Sequence, residues 1–149
     1  MEENREQTKK NLRIISLCLV IFSIVSLALA AMDLITFWMD RDNYSGTSDG
    51  VVLASIGIVG VMSLLMVAVQ IYIGLKGMKV AKEPDSSKGH ITWATVLLVL
   101  SIIALVSPVM EMIQTKAIVA NVVTIIDCLV DVLLYYYFIK WAKEVRVVD

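Results

Sequence analysis

The sequence predicts an all-α integral membrane protein, a bundle of four transmembrane helices with both termini in the cytoplasm. Of its 149 residues 58% are apolar, and the mean hydropathy is +0.80. Soluble domains are usually about 45–50% apolar. Only 18% of the residues are charged, and they cluster between and beyond four long apolar runs. Almost all the basic residues also lie in segments that would be on the same side of the membrane, which predicts the orientation of the chain in the membrane.

The four apolar runs are each long enough to cross a bilayer, which takes about 20 helical residues. Transmembrane barrel strands are shorter and alternate in polarity, and these runs do not alternate. A helix also satisfies its own backbone hydrogen bonds in lipid. The polar segments are short, so residues 1–149 form a single membrane domain. We expect the spans at 14–38, 51–75, 91–110 and 117–139.

The first run has an alternative reading as a secretory signal. Lys9, Lys10 and Arg13 precede an apolar stretch that reaches the small residues Ala28–Ala30, the composition of a signal peptide with its cleavage site. Apolar character continues as far as Trp38, however, giving about 25 residues, the length of a membrane span. We therefore expect a retained first span.

The positions of the basic residues orient the chain. Eleven of the 13 Lys and Arg residues precede span 1, lie between spans 2 and 3, or follow span 4. Only Arg41 and Lys116 lie on the other side. Because cytoplasmic loops carry an excess of basic residues, both termini are expected in the cytoplasm. We expect a multi-pass protein of the plasma or inner membrane.

The two halves of the chain resemble each other. Residues 23–33 match 101–111 at several positions, and the basic pattern of 72–82 returns in 136–146. This similarity predicts two tandem parallel helical hairpins. The alternative is that span ends share interfacial aromatic and basic residues in any membrane protein. The predicted repeats are 14–82 and 91–146.

Small residues and a proline predict local features of spans 2 and 3. Gly57 and Gly60 form a smooth strip on span 2 that would let another helix approach closely. Pro108 should kink span 3 near its outer end, because proline has no N–H to donate within the helix.

A polar stripe runs along one face of span 4, in the segment "TIIDCLVDVLLYYY". At about 100° per residue, Asn121, Thr124, Asp127, Asp131 and Tyr135 lie within about a third of the helix circumference. The opposite face is apolar, so this stripe should turn away from lipid. The other spans offer polar partners, among them Ser16, Ser23, Ser26, Ser63 and Gln70.

The two acids of the stripe need to be neutralised. An ionised Asp near the bilayer centre costs about 2.5–3.5 kcal/mol, and Asp127 and Asp131, one turn apart, repel each other. No predicted span contains a Lys, Arg or His. The acids could hold protons, bind a cation or cationic solute, or pair with a basic residue of a partner. The alternative is a purely structural role, in which the two acids form hydrogen bonds between helices.

These observations predict a protein that binds or moves a proton, cation or cationic solute through a seam lined by the stripe residues. Asp33 and Glu111, near the outer ends of spans 1 and 3, would form its mouth, unless they are merely solvated carboxylates. The alternative function is an accessory, regulatory or structural membrane subunit whose acids pair with a partner protein. Four spans enclose little volume, so a homo-oligomer or a partner membrane protein is expected.

Other classes of function have no motif here. Cys18 and Cys128 both fall inside predicted spans, so no disulfide framework is expected. No catalytic triad, phosphate-binding glycine loop or nucleic-acid module is recognisable. We expect no enzymatic activity, no cofactor and no nucleic-acid partner, with the lipid bilayer as the main surroundings. Whether a metal ion binds is left open.

Overall fold

The computed structural model describes residues 2–39, 49–115 and 118–146, and within these ranges it is helical with no strands. Helices α3 and α4 are two parts of one interrupted helix, so the fold has four helical rods. α1 packs mainly along α2, and α5 packs against both α3 and α1. The helices are α1 (Glu2–Met39), α2 (Asp49–Lys82), α3 (Gly89–Ala104), α4 (Val106–Thr115) and α5 (Ile118–Val145).

Three of the described helical stretches are long and apolar enough to cross a membrane: Asn4–Thr36, Gly50–Lys82 and Gly89–Gln114. They indicate a membrane protein, and they correspond to the first three predicted spans. The fourth predicted span corresponds to α5, a helix of 28 residues that carries Asp127 and Asp131. α5 is not one of these three stretches.

The helices extend beyond the predicted spans at the basic end of the bundle. α1 begins at Glu2 rather than near Ile14, and α2 continues through Lys82. A span ends where charges begin, but a helix need not, because Glu, Gln, Lys and Arg are good helix formers. Lys9 and Glu6 add an ion pair of 2.7 Å at i, i+3 in this extension.

The third rod is interrupted near the proline, where the sequence predicts a kink. α3 ends at Ala104, Leu105 lies between the helices, and α4 begins at Val106. Pro108 has no N–H to donate to the carbonyl of Ala104, four residues earlier, and its ring crowds that carbonyl. The helix therefore breaks at this turn, although α3 and α4 together belong to one stretch of membrane-spanning length.

The buried core lies mostly at the basic end of the bundle. Large apolar residues farther from that end, such as Ile35, Leu53 and Ile113, are exposed, as lipid-facing residues should be. The four rods therefore pack tightly at one end and less tightly beyond it. The core consists of Leu12, Leu19, Ile73, Val80, Ala81, Ile91, Ala94, Leu97, Tyr135, Phe138, Ala142 and Val145.

Two glycines allow the helices to approach closely in this core. A Cβ added at Gly74 would lie 2.8 Å from the carbonyl oxygen of Ser16, a backbone atom of α1. A Cβ at Gly77 would overlap both the Ser16 hydroxyl and the Phe138 ring. α1, α2 and α5 thus meet where α2 has no side chain.

The close approach is not at the glycines that the sequence singled out. No described atom lies within 4 Å of a Cβ built on Gly57, and the nearest one to Gly60 is a Leu34 methyl at 3.5 Å, an ordinary contact. The prediction of a tight strip at Gly57 and Gly60 is therefore wrong for the described residues. A small residue permits close packing only where another helix reaches it.

The glycine positions give a matched pair of substitutions in one helix. Gly77→Ala should destabilise the protein by about 1–3 kcal/mol, because the added methyl overpacks a filled site. Gly57→Ala should be neutral or stabilising by up to about 1 kcal/mol, since alanine favours the helix and meets no described atom. Thermal unfolding in detergent measures both. Equal effects of the two substitutions would show that the helices do not meet at Gly77.

The connection between α2 and α3 is organised by one carboxylate. Lys76 Nζ donates to Asp85 Oδ2 at 2.6 Å, and the backbone N–H and hydroxyl of Ser87 donate to Oδ1 at 3.1 and 2.8 Å. These hydrogen bonds lower the pKa of Asp85 from 3.8 to about 2, and the hydrogen bond from Lys76 has the largest effect. The carboxylate fastens the loop to the end of α2.

The hydrogen bonds to Asp85 predict that the stability of the fold depends on pH in the acidic range. Because the folded pKa of Asp85 lies below its ordinary value of 3.8, ionised Asp85 stabilises the fold above about pH 4. That stabilisation is lost as the pH falls through about 2. Asp85→Asn should therefore lower the unfolding temperature at pH 7 and have little effect near pH 2. Glu83→Gln, a change at a neighbouring exposed acid, serves as the control and should not reproduce this pattern.

Candidate functional site

A cavity of about 400 Å³ lies between α1, α2 and α5, directly beyond the buried core. It is open to the surface of the bundle, since Ile58, Val59 and Met62 in its wall are more than half exposed. Its lining joins one carboxyl, one amide and two hydroxyl groups to an otherwise apolar wall. The lining residues are Ser26, Ala30, Ile58, Val59, Met62, Ser63, Met66, Val67, Gln70 and Asp131.

The cavity lies near the middle of the predicted membrane spans. Ser26 and Ser63, which both line it, are the central residues of spans 1 and 2. Asp131 lies about 4–5 Å from the middle of the fourth predicted span, by the helical rise per residue. Polar groups from three helices therefore meet at one depth, where water is scarcest.

Among the described residues that line the cavity, Asp131 is the one acid, and none is Lys, Arg or His. Its side chain is half-buried, and it comes from a helix that packs against both α1 and α2. The apolar wall is formed mainly by α2, which contributes branched and thioether side chains. An ionised carboxyl group in such surroundings has no counter-charge among the described lining residues.

One hydrogen bond closes the cavity toward the core. Gln70 Nε2 on α2 donates to the hydroxyl of Tyr135 on α5 at 2.6 Å. Tyr135 is buried in the core, with 1% of its surface exposed, and lies one turn from Asp131 on the same face of α5. Tyr135 therefore links α5 to α2, whereas the sequence predicts it as a ligand-coordinating residue.

The structure separates the two aspartates of the stripe. Asp131 lines the cavity, whereas Asp127 is exposed and is not among the lining residues. Asn121 and Thr124 lie on α5, but their side chains are outside the described residues, so their part in the site stays a prediction.

The predicted outer mouth cannot be placed. Asp33 lies on α1 and Glu111 on α4, and their side chains are outside what the structure describes. The opposite, apolar face of α5 is better defined. Val122, Ile126 and Leu129 on that face are exposed, as expected of a surface that faces lipid.

Sequence reasoning recognised Ser26, Ser63 and Gln70 only as polar residues of neighbouring spans and did not assign them to the site. The sequence feature that could have assigned the two serines to the site is their position at the centre of their spans. For Gln70 it is an amide within an apolar helix, which must find a partner. Other polar residues of α1 lie elsewhere: Ser23 is buried and donates to the Leu19 carbonyl at 2.6 Å.

The donor set is sparse for a metal ion. Within residues 2–39, 49–115 and 118–146, no three His, Cys, Asp or Glu side chains cluster in a way that could hold one. Fold and site together indicate a helical membrane protein with a cavity that contains one carboxyl group. Comparison with protein-family models, curated proteins and solved structures finds no match to this chain.

The hydrogen bond between Gln70 and Tyr135 can be tested by removing one oxygen atom. Tyr135→Phe should destabilise the protein by about 1 kcal/mol, because the Gln70 amide loses its partner in an apolar setting. The matched control is Tyr136→Phe, since Tyr136 is 54% exposed and should change stability by less than about 0.5 kcal/mol. Both are measured by thermal unfolding in detergent. If the two substitutions had the same effect, this hydrogen bond would not stabilise the fold.

Proposed function

We propose that this protein binds a hydrophobic organic cation in the cavity at Asp131 and moves it across the membrane. A proton competes with this cation for the same carboxylate. The observation that supports this function is an acid in a cavity near the centres of the predicted spans, with no base among the described lining residues. The cavity supports a cationic ligand more directly than it supports transport.

The cost of an isolated charge favours such a ligand. An ionised Asp near the bilayer centre costs about 2.5–3.5 kcal/mol, and this cost falls when a cation binds or a proton neutralises the group. Either event is therefore favourable at Asp131, and the two exclude each other. A site that exchanges a proton for a cation can couple the movement of one to the other.

The size and the wall of the cavity favour an organic cation over a bare metal ion. Its volume of about 400 Å³ lies in the range of small-molecule sites, about 300–1,000 Å³. Val59, Met62 and Met66 supply apolar contact area, and methionine adapts to ligands of varied shape. A metal ion would require more oxygen or nitrogen ligands at short range.

The same function requires a complete membrane topology. We infer that α5 is a fourth span, because its 28 residues extend about 42 Å, more than the hydrocarbon thickness of about 30 Å. The basic residues favour cytoplasmic termini in a plasma or inner membrane. The two hairpins, α1 with α2 and α3 with α5, would be the moving parts, and their origin by duplication stays a prediction.

A second candidate function is assembly with a partner or a second copy through Asp127. This acid is exposed on a largely apolar helix, where lipid would otherwise surround it. A basic or hydrogen-bonding group from another membrane helix would relieve that cost. In this case the acids serve an accessory or structural subunit rather than a transporter.

The two aspartates provide a matched test on one helix. Asp131→Asn should weaken binding of tetraphenylphosphonium by about tenfold or more, since each factor of ten corresponds to about 1.4 kcal/mol. Asp127→Asn should leave that binding nearly unchanged. Binding to the wild-type protein should fall on acidification, because the proton occupies the same carboxylate. Radioligand binding to purified protein in detergent, followed by uptake into proteoliposomes under a pH gradient, measures these effects.

Each outcome favours one candidate. Equal loss of binding in both variants would argue against the cavity as the site, and unchanged binding in Asp131→Asn would rule it out. If only Asp127→Asn acts, and reduces the mass of the purified assembly, the accessory function is the better account. Unfolding temperatures of both variants show whether the fold is kept.

A further inference from the structure

A second polar cavity lies at the basic end of the bundle, between α3 and α5. Its volume is about 400 Å³, and it is separate from the cavity at Asp131. Three of its seven lining residues are basic and none is acidic. The lining residues are Lys88, Ile91, Thr92, Thr95, Val96, Lys143 and Arg146.

The three basic residues are not neutralised by neighbours. Lys88, Lys143 and Arg146 have no ion pair within the described part of the chain. Two acids close to them in sequence, Asp85 and Glu144, have partners outside the cavity. Asp85 binds Lys76 at 2.6 Å, and Glu144 accepts a hydrogen bond of 3.4 Å from the hydroxyl of Thr8 on α1.

Another basic cavity at this end lies between α1 and α2. It is lined by four basic residues together with Glu6. Glu6 pairs with Lys9 there at 2.7 Å. Among the described lining residues, the cavity between α3 and α5 differs from it in containing no acid.

We propose that the cavity between α3 and α5 binds the phosphate-bearing headgroup of an anionic phospholipid. Lys143 and Arg146 from α5 and Lys88 at the start of α3 would bind the phosphate. Thr92 and Thr95 already donate to carbonyls of their own helix, at 3.2 and 2.8 Å. The charged side chains therefore carry the recognition.

The surroundings of the cavity favour a lipid over a soluble phosphate. Ile91 and Val96 extend its wall along α3, within a stretch that is apolar enough to cross a membrane. Trp93, on the side of α3 that faces α2, is exposed, and Trp141 stacks on Tyr137 at 5.3 Å between ring centroids. Tryptophan and tyrosine are typical of the membrane interface, so the cations lie at headgroup depth and the apolar wall lies at acyl-chain depth.

The test compares two lipids that differ in headgroup charge. Dioctanoyl phosphatidylglycerol should raise the unfolding temperature of the full chain in detergent in a saturable manner, and dioctanoyl phosphatidylcholine should not. The triple variant Lys88→Gln, Lys143→Gln and Arg146→Gln should weaken the apparent affinity by about tenfold to a hundredfold, since each basic residue near anionic lipid contributes about 1 kcal/mol.

A matched control removes the same charges at the same end of the bundle. Arg5→Gln, Lys79→Gln and Lys140→Gln change two lysines and one arginine, all exposed and none in the cavity lining. This variant should bind phosphatidylglycerol nearly as the wild type does. Equal losses in the two triple variants would reduce the effect to general surface charge and overturn the site.

Two further measurements complete the test. Inorganic phosphate and glycerol 3-phosphate should give no shift at concentrations where phosphatidylglycerol saturates, and an equal shift would identify a soluble anion as the ligand instead. If the triple glutamine variant does not fold, the single variant Arg146→Gln should still weaken lipid binding, while the charge-conserving Arg146→Lys should keep it. Unchanged binding in Arg146→Gln would overturn the assignment.

Discussion

The close approach of α1, α2 and α5 around Gly74 and Gly77 is the contact on which the rest of the structure depends. Lipid is as apolar as a leucine side chain, so helices in a membrane gain little from hydrophobic burial against one another. They associate through close packing, and only a residue without a side chain lets the Ser16 backbone and the Phe138 ring reach α2. The core forms at this end for that reason.

The cavity at Asp131 follows from where this packing stops. Beyond Gln70, α2 contributes side chains such as Ser63 and Met66 to the lining, and a cavity of about 400 Å³ lies between α1, α2 and α5. The hydrogen bond of 2.6 Å from Gln70 to Tyr135 marks the boundary. A tightly packed end thus holds three helices in register while the middle of the bundle stays available to a ligand.

Much of the fold could be predicted from composition and periodicity, because the cost of an unpaired backbone in lipid leaves helices as the solution for long apolar runs. The break before Pro108 follows equally from local chemistry. The glycine contacts could not be predicted. Gly57 and Gly77 look alike in sequence, and they differ only in which atoms of other helices reach them.

The polar stripe shows the same limit for the site. Helical geometry alone predicts that the stripe lies on one face. The sequence therefore predicts that Asp127 and Asp131 lie opposite the apolar face of α5. Which of the two enters a cavity depends on the rotation of α5 against α1 and α2, which the pattern of one helix does not contain. A difference of four residues, about 40° around the axis, places Asp131 beside Gln70 and leaves Asp127 exposed.

That separation changes how the acids can be neutralised. Two carboxylates in one seam would repel each other and share one proton or one cation. The two acids stay one helical turn apart, but they have different surroundings: Asp131 faces the cavity, and Asp127 is exposed to groups outside the chain. Among the described lining residues of the cavity there is no base to neutralise Asp131, so the proposed function requires that a proton or a cation from outside the chain do so.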